Sequence, residues 1–248
     1  MKFFLDYLRK KNLSKNTIIT YKNSLLFLDV ENWDWIKIKK KIFHSNYAAN
    51  TVHLHKNVLL QYLKFKNNKQ YIKKLEMIKL PPIDTKYYLT ISKNMLYKKT
   101  QILDHDSDND RKWKIIIRFI FETGIRASEL HTLQLKNEKL YTLGKGNKLR
   151  QLFYVKETLI LMLKYFPDLK GFYHNKSLRL AVKKYLDKKY TPHSIRRSFA
   201  THMLNNGSNP KSLMLQMGHS KVETTYRYLN LSEKYNEQNY NRIMKKMS

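Results

Sequence analysis

The chain has 248 residues, enough to bury one large core or two small ones, and 42% of them are hydrophobic, which excludes a disordered chain. Its 49 Lys and Arg against 19 Asp and Glu leave a formal charge of +30. A compact particle with that excess repels itself unless a polyanion accompanies it, so nucleic acid is the first partner to consider. The many Asn, Ile and Tyr residues suggest an AT-rich coding bias, which explains lysine in preference to arginine but not the scarcity of acids. With no cysteine, disulfides, thiolate zinc sites and a cysteine nucleophile are all excluded.

At the N-terminus, Met1-Lys2-Phe3-Phe4-Leu5 starts like a secretory leader, but Asp6, Arg9, Lys10 and Lys11 break the apolar run too early. No stretch approaches a membrane span, and the expected location is the cytoplasm, in association with the nucleoid. The first eighty residues read as short helices. Ser14 is a plausible N-cap for an amphipathic segment with Ile18, Tyr21, Leu25, Leu26 and Leu28. A second helix, opening near Asn50, has Val52, Leu54, Val58, Leu59, Tyr62 and Leu63 on helical spacing.

Leu80-Pro81-Pro82-Ile83-Asp84 is the boundary candidate, because consecutive prolines cannot continue a helix and favour an extended connector. The expected division is a helical domain over 1–80, a linker over 81–88 and a second domain over 89–248. Nine of the ten arginines lie at or after Arg111. In a chain that otherwise chooses lysine, retained arginine suggests sites that need a planar, bidentate cation.

The second domain reads as mainly helical with one hairpin. Trp113 to Phe121 is an apolar helix stopped by Gly124, and a short helix starts near Ser128-Glu129-Leu130. Lys139 to Leu143 and Lys148 to Val155 read as strands flanking the turn Gly144-Lys145-Gly146-Asn147. Leu178 to Leu186 is helical. Thr191 caps a helix with Pro192 at its first position and Asn206-Gly207 at its end. A short helix runs from Pro210 to Gly218, and Ser220 with Glu223 makes a capping-box pattern that opens one more.

The acids Asp104, Asp106, Asp108 and Asp110 begin like a calcium loop. Position six would be Asn109 rather than Gly, and position twelve Ile115 rather than Glu, so the pattern fails and a capping and dipole role is expected. No second carboxylate group follows with spacing suited to two-metal catalysis. The Gly144 turn lacks the spacing of a Walker loop.

His193 and Arg196 share one face at the start of a helix, where backbone N–H groups attract anions. Arg126 follows the Gly124 break at the mouth of another helix. Two arginines can clamp the non-bridging oxygens of one phosphodiester and stabilise the charge of a pentavalent transition state. A structural acid could instead claim each of them.

Taken in order, Thr123-Gly124-Ile125-Arg126-Ala127-Ser128-Glu129-Leu130, Gly144-Lys145-Gly146-Asn147-Lys148, Thr191-Pro192-His193-Ser194-Ile195-Arg196, Met217-Gly218-His219-Ser220 and Thr224-Thr225-Tyr226-Arg227-Tyr228 resemble the tyrosine recombinases of the phage-type integrase family, nearest to the Xer type. Phe4 to Leu8 followed by Leu13 to Thr17 is similar to that family's helical DNA-clamping domain.

The resemblance implies a mainly α fold with a small β-sheet, in which two domains close on duplex DNA as a C-shaped clamp. It implies that Arg126 and Arg196 bind the scissile phosphate, and that Lys145 protonates the leaving 5′ oxygen. By the same resemblance His193 assists proton transfer, His219 donates a hydrogen bond to the phosphate, and Tyr228 is the nucleophile. No metal, ATP or other cofactor is implied. Double-stranded DNA is the implied partner, with a homotetramer or heterotetramer on two paired sites and room for an unknown activating protein.

Tyr226 is two residues from Tyr228 and would face roughly the opposite side of a helix, so spacing favours Tyr228. Lys148 and Arg150 are expected to touch backbone phosphates, and His131 and His202 to be structural. Arg197 stands where the family usually has a different residue. Along the tail from Ser232 to Ser248, Tyr235, Ile243 and Met247 sit at helical spacing, suited either to a neighbour or to the chain itself. The rivals are a type IB topoisomerase-like relaxing enzyme, a DNA-binding protein of recombinase descent without turnover, and an integrase from a phage or mobile element. Lack of room for an arm-binding domain before the helical one tilts the expectation toward a Xer-like or small-element enzyme.

Overall fold

A computed structural model describes residues 1–43, 47–83, 90–144, 146–169, 175–219, 240, 241 and 243–245. The chain divides into two compact units, Met1–Lys86 and Tyr87–Ser248. None of the described helices is long and apolar enough to cross a membrane.

The first unit holds α1 (Lys2–Lys10), α2 (Lys15–Leu28), α3 (Trp35–Ile42), α4 (Ala49–Phe65) and α5 (Lys69–Glu76). Ser14 caps α2, its side chain accepting from the Thr17 N–H at 3.2 Å. On α2 the stripe Ile18, Tyr21, Leu25 and Leu28 turns inward. Leu26, one residue off that stripe, is 52% exposed. On α4 the buried stripe is Val52, His55, Val58, Leu59, Tyr62 and Leu63, and Leu54 faces outward for the same reason. His55 enters this core by bonding: its Nδ1 lies 2.8 Å from Ser24 Oγ and its ring stacks on Phe27. Burial lowers its pKa, so the imidazole is packed as a neutral group.

The second unit begins with α6 (Lys93–Lys99) and α7 (Asp108–Thr123), the latter running through its core. Ser107 caps α7, with Asp108 and Asp110 in the first turn, where negative charge suits the helix dipole. The acidic run is therefore spent on structure: Asp106 pairs with Lys114 at 2.7 Å, and Asp110 with Lys184 at 2.7 Å. Next come the 3-10 helix Ala127–Thr132 and three strands, β1 (Gln134–Lys136), β2 (Lys139–Leu143) and β3 (Leu149–Leu152), in antiparallel order β1-β2-β3.

The sheet differs from expectation in two ways. A third strand, β1, joins it through a tight turn at Asn137 and Glu138, both at positive φ, where neither Gly nor Pro signals a turn. The last strand stops at Leu152 rather than Val155, because the Gln216 side chain takes both the N–H and the C=O of Phe153 at 2.9 Å.

The unit continues with α8 (Lys156–Tyr165), α9 (Asn175–Tyr185), α10 (Pro192–Asn205) and α11 (Pro210–Met217). Thr191 and Asn209 cap the last two, each with proline at the first position. The Ser220 and Glu223 pattern, Tyr235 and Met247 lie outside the described residues.

Two left-handed glycines position the site. Gly124 ends α7 at φ 63° and Gly218 ends α11 at φ 64°. A Cβ on Gly124 would overlap the ring of Phe199 on α10 as well as strain the backbone. Gly124→Ala is therefore expected to destabilise the protein by about 2–3 kcal/mol, measured by urea unfolding, against a negligible change for Gly146→Asn at the open hairpin turn.

Candidate active site

Arg126 directly follows the Gly124-Ile125 break and serves as N-cap of the 3-10 helix. Its backbone N–H donates to Glu129 Oε2 at 3.0 Å, and its Nη1 to Glu129 Oε1 at 2.6 Å. The other arm of the guanidinium, Nη2, donates to the Gly218 carbonyl at 2.8 Å. Arg196 lies in the second turn of α10, 3% exposed. It donates through Nη1 to the Gly124 carbonyl, and through Nη2 to the Met217 carbonyl at 2.7 Å and to His219 Nε2 at 3.0 Å. Two arginines 70 positions apart thus meet at the Gly218 turn, and Arg196 also holds the Gly124 turn.

That geometry fixes the state of His219. A guanidinium can only donate, so Nε2 accepts and the imidazole is neutral with its proton on Nδ1. Its pKa agrees, held down to about 4 by burial first, then by the charges of Arg196, Arg126, Arg150 and His193. His193, at the second position of α10, opens to solvent at the rim. Partial desolvation and the nearby Arg197, Arg196 and Arg126 lower its pKa as well, which leaves a neutral imidazole able to accept a proton at pH 7.

Arg126, His193 and Arg196 line one cavity of about 480 Å³. Arg179 and Lys183, one turn apart on α9, line it too, as does Tyr190. The cavity is cationic and open. Among the described residues no three His, Cys, Asp or Glu side chains group as a metal site.

Of the six residues singled out from sequence, the structure brings together Arg126, His193, Arg196 and His219. Lys145 and Tyr228, like Tyr226, lie outside the described residues; Gly144, Gly146 and Asn147 of the turn around Lys145 are described. His202 is structural, its Nε2 lying 2.8 Å from the Ile91 carbonyl. Lys148 is exposed on the hairpin. Arg150 differs from expectation. Its side chain is only 12% exposed and donates to Glu129 Oε2 at 2.6 Å, instead of facing outward to backbone phosphate.

Sequence reasoning quoted Glu129 but gave it no role. It is 4% exposed, and its two oxygens pair with Arg126 and Arg150. Retention of arginine at position 150, in a lysine-rich hairpin, was the signal that could have found that pair.

The model of the phage integrase family matches residues 170–235. The tyrosine recombinase XerA of Pyrococcus horikoshii is 28% identical over 261 aligned positions, which cover 94% of this chain and 89% of that one. Among solved structures, the Tn1549 transposon integrase in complex with transposon right-end DNA superposes with a TM-score of 0.75, at 16% identity over 98% of each chain. A lambda integrase tetramer bound to a Holliday junction gives a TM-score of 0.71 at 11% identity, over 89% of this chain and 76% of that one.

Over nearly its whole length the chain is similar to the tyrosine recombinases of the Xer type. The buried carboxylate offsets one of the three charges of Arg126, Arg150 and Arg196 and leaves the other two unneutralised by it. Glu129→Gln keeps the shape and removes the charge. It is expected to lower unfolding free energy by about 3 kcal/mol, since two partly buried guanidinium groups would lose their shared counterion; urea denaturation measures it.

Proposed function

We propose that this protein is a site-specific DNA strand transferase that cuts and rejoins strands through a 3′-phosphotyrosyl intermediate at Tyr228. What supports the reading most is the convergence of Arg126, Arg196 and His193 on one open cavity, with His219 bonded to Arg196, in a chain whose relatives are named tyrosine recombinases.

The chemistry follows from what such a cavity can do. A phenol with pKa near 10 is only about 0.1% ionised at neutral pH, so the nucleophile needs cations and a base. His193, neutral and at the rim, takes the phenolic proton as the Tyr228 oxygen attacks phosphorus. Arg126 and Arg196 meet the charge that builds on the non-bridging oxygens, and the Nδ1–H of His219 adds a hydrogen bond. The bond from phosphorus to the 5′ oxygen breaks, and Lys145 supplies the proton that this oxygen takes. The phosphotyrosine bond conserves the energy of the broken diester. A free 5′ hydroxyl of another strand attacks it, releases the phenol and restores a diester without ATP.

Arg179 and Lys183 extend the positive surface along α9, which suits duplex phosphates on either side of the cut. Strand exchange needs two cut duplexes held together, so the assembly proposed is a tetramer of protomers on two paired sites. The charge of +30 predicts affinity that falls steeply as salt rises.

Nicked suicide substrates test this. On denaturing gels, the wild-type protein should form a covalent protein–DNA adduct, Tyr228→Phe should form none, and Tyr226→Phe should keep it. An adduct in Tyr228→Phe removes the nucleophile assignment, and relaxation of arbitrary plasmid DNA by isolated monomers would favour a topoisomerase instead.

A further inference from the structure

We infer that Arg150 is a positioning residue for strand cleavage: lodged between β3 and the Gly218 turn, its guanidinium fixes the Glu129 carboxylate and, through it, Arg126. The inference deepens the recombinase reading above and rests on it.

The first observation is how the carboxylate is shared. Glu129 Oε2 receives Arg150 Nη2 at 2.6 Å and the Arg126 N–H at 3.0 Å, which leaves Oε1 for Arg126 Nη1. Without Arg150, the carboxylate is free to turn and take both arms of Arg126 in a two-point pair, the geometry that carboxylates and guanidinium groups prefer. That turn would pull Nη2 of Arg126 off the Gly218 carbonyl and away from the cavity. Arg150 keeps Arg126 shared between Glu129 and the Gly218 carbonyl, at the wall of the cavity.

The second observation is cost. Nε and Nη1 of Arg150 are buried with no hydrogen-bond partner, and a guanidinium held in that state is expensive for stability alone. Buried donors left unmet call for a role beyond folding.

The third is where Arg150 sits in the chain. β3 leaves the turn that contains Lys145 and is fastened to α11 at two points: Gln216 on Phe153, and Arg150 against Gly218. Any Cβ at 218 would collide with the Arg150 side chain, its Cδ at 2.9 Å, so glycine there is needed for close approach as well as for φ 64°. The same side chain thereby ties the hairpin to the turn that leads into His219.

A positioning role separates from a structural one by rate and pH. Single-turnover cleavage of a suicide substrate at saturating DNA, followed across pH, should be at least about tenfold slower in Arg150→Gln, with DNA affinity within about threefold of wild type. His219 faces Arg196 and His193 from α10, Arg126 from the 3-10 helix and Arg150 from β3, and burial and these groups lower its pKa. Removing one cation lets that pKa rise, so the limb where activity falls as His219 protonates should move to higher pH. Arg150→Lys keeps the charge, so its acid limb should stay in place. Its rate should remain low, because an ammonium has no planar fork to reach Glu129 while seated against Gly218.

Wild-type cleavage by Arg150→Gln would overturn the proposal, as would lost DNA affinity with an unchanged saturated rate, which marks a DNA contact. If circular dichroism shows that Arg150→Gln does not fold, Arg150→Lys decides by the same rate criterion. A wild-type protein that binds its DNA yet never forms an adduct overturns the recombinase reading itself; an adduct formed normally by both Arg150 variants overturns only this role.

Discussion

One buried carboxylate holds the arginine cluster in place. Glu129 lies beneath three arginines and offers its two oxygens to two of them, at 2.6 Å each. With too little negative charge, Arg126, Arg150 and Arg196 would repel one another apart. With a second acid, the three arginines would keep only one net positive charge for a phosphate. A single carboxylate balances that repulsion and still leaves the cluster net positive, the state that the proposed phosphoryl chemistry would use. The remaining guanidinium donors rest on backbone carbonyls of Gly124, Met217 and Gly218, groups that orient a cation without neutralising it.

Those carbonyls exist in the right place because two helices stop where they do. Gly124 and Gly218 adopt left-handed backbone that few other residues adopt, and each turns a carbonyl toward an arginine from a different element. The 3-10 helix supplies Arg126, α10 supplies Arg196 and His193, and the end of α11 supplies His219. Preorganisation of this kind is built during folding, so little rearrangement is left for the moment of reaction.

Much of this was legible in the sequence, and the reasons are specific. Helix ends were written in residues with a single conformational purpose: Ser14, Thr191-Pro192, Gly124 and Gly218 all mark ends found in the structure. Arg126, His193 and Arg196 stand beside such signals, whereas His219 was singled out only through the family resemblance. Strand β1 was missed, since its turn uses Asn137 and Glu138 at positive φ and carries no glycine. Arg150 was misplaced on the surface. Alternation along a four-residue strand cannot reveal that a neighbouring turn, 68 residues later in the chain, will cover one side chain. Gln216 left no trace at all, because its value lies in three backbone groups, on Phe153 and Thr123, that only the tertiary fold brings near.

The positive charge around the cavity should act on the non-bridging oxygens of a single phosphate, and chemistry can remove one of those oxygens. Cleavage rates should be compared on a suicide substrate with an ordinary scissile diester and on one with a neutral methylphosphonate there, for the wild-type protein and for Arg126→Ala. Loss of Arg126 should slow diester cleavage by about a hundredfold or more, yet slow methylphosphonate cleavage by less than about tenfold, because the charge it serves is already gone. An equal loss on both substrates would mean that Arg126 does not answer the charge on that phosphate, and the site would have to be read another way.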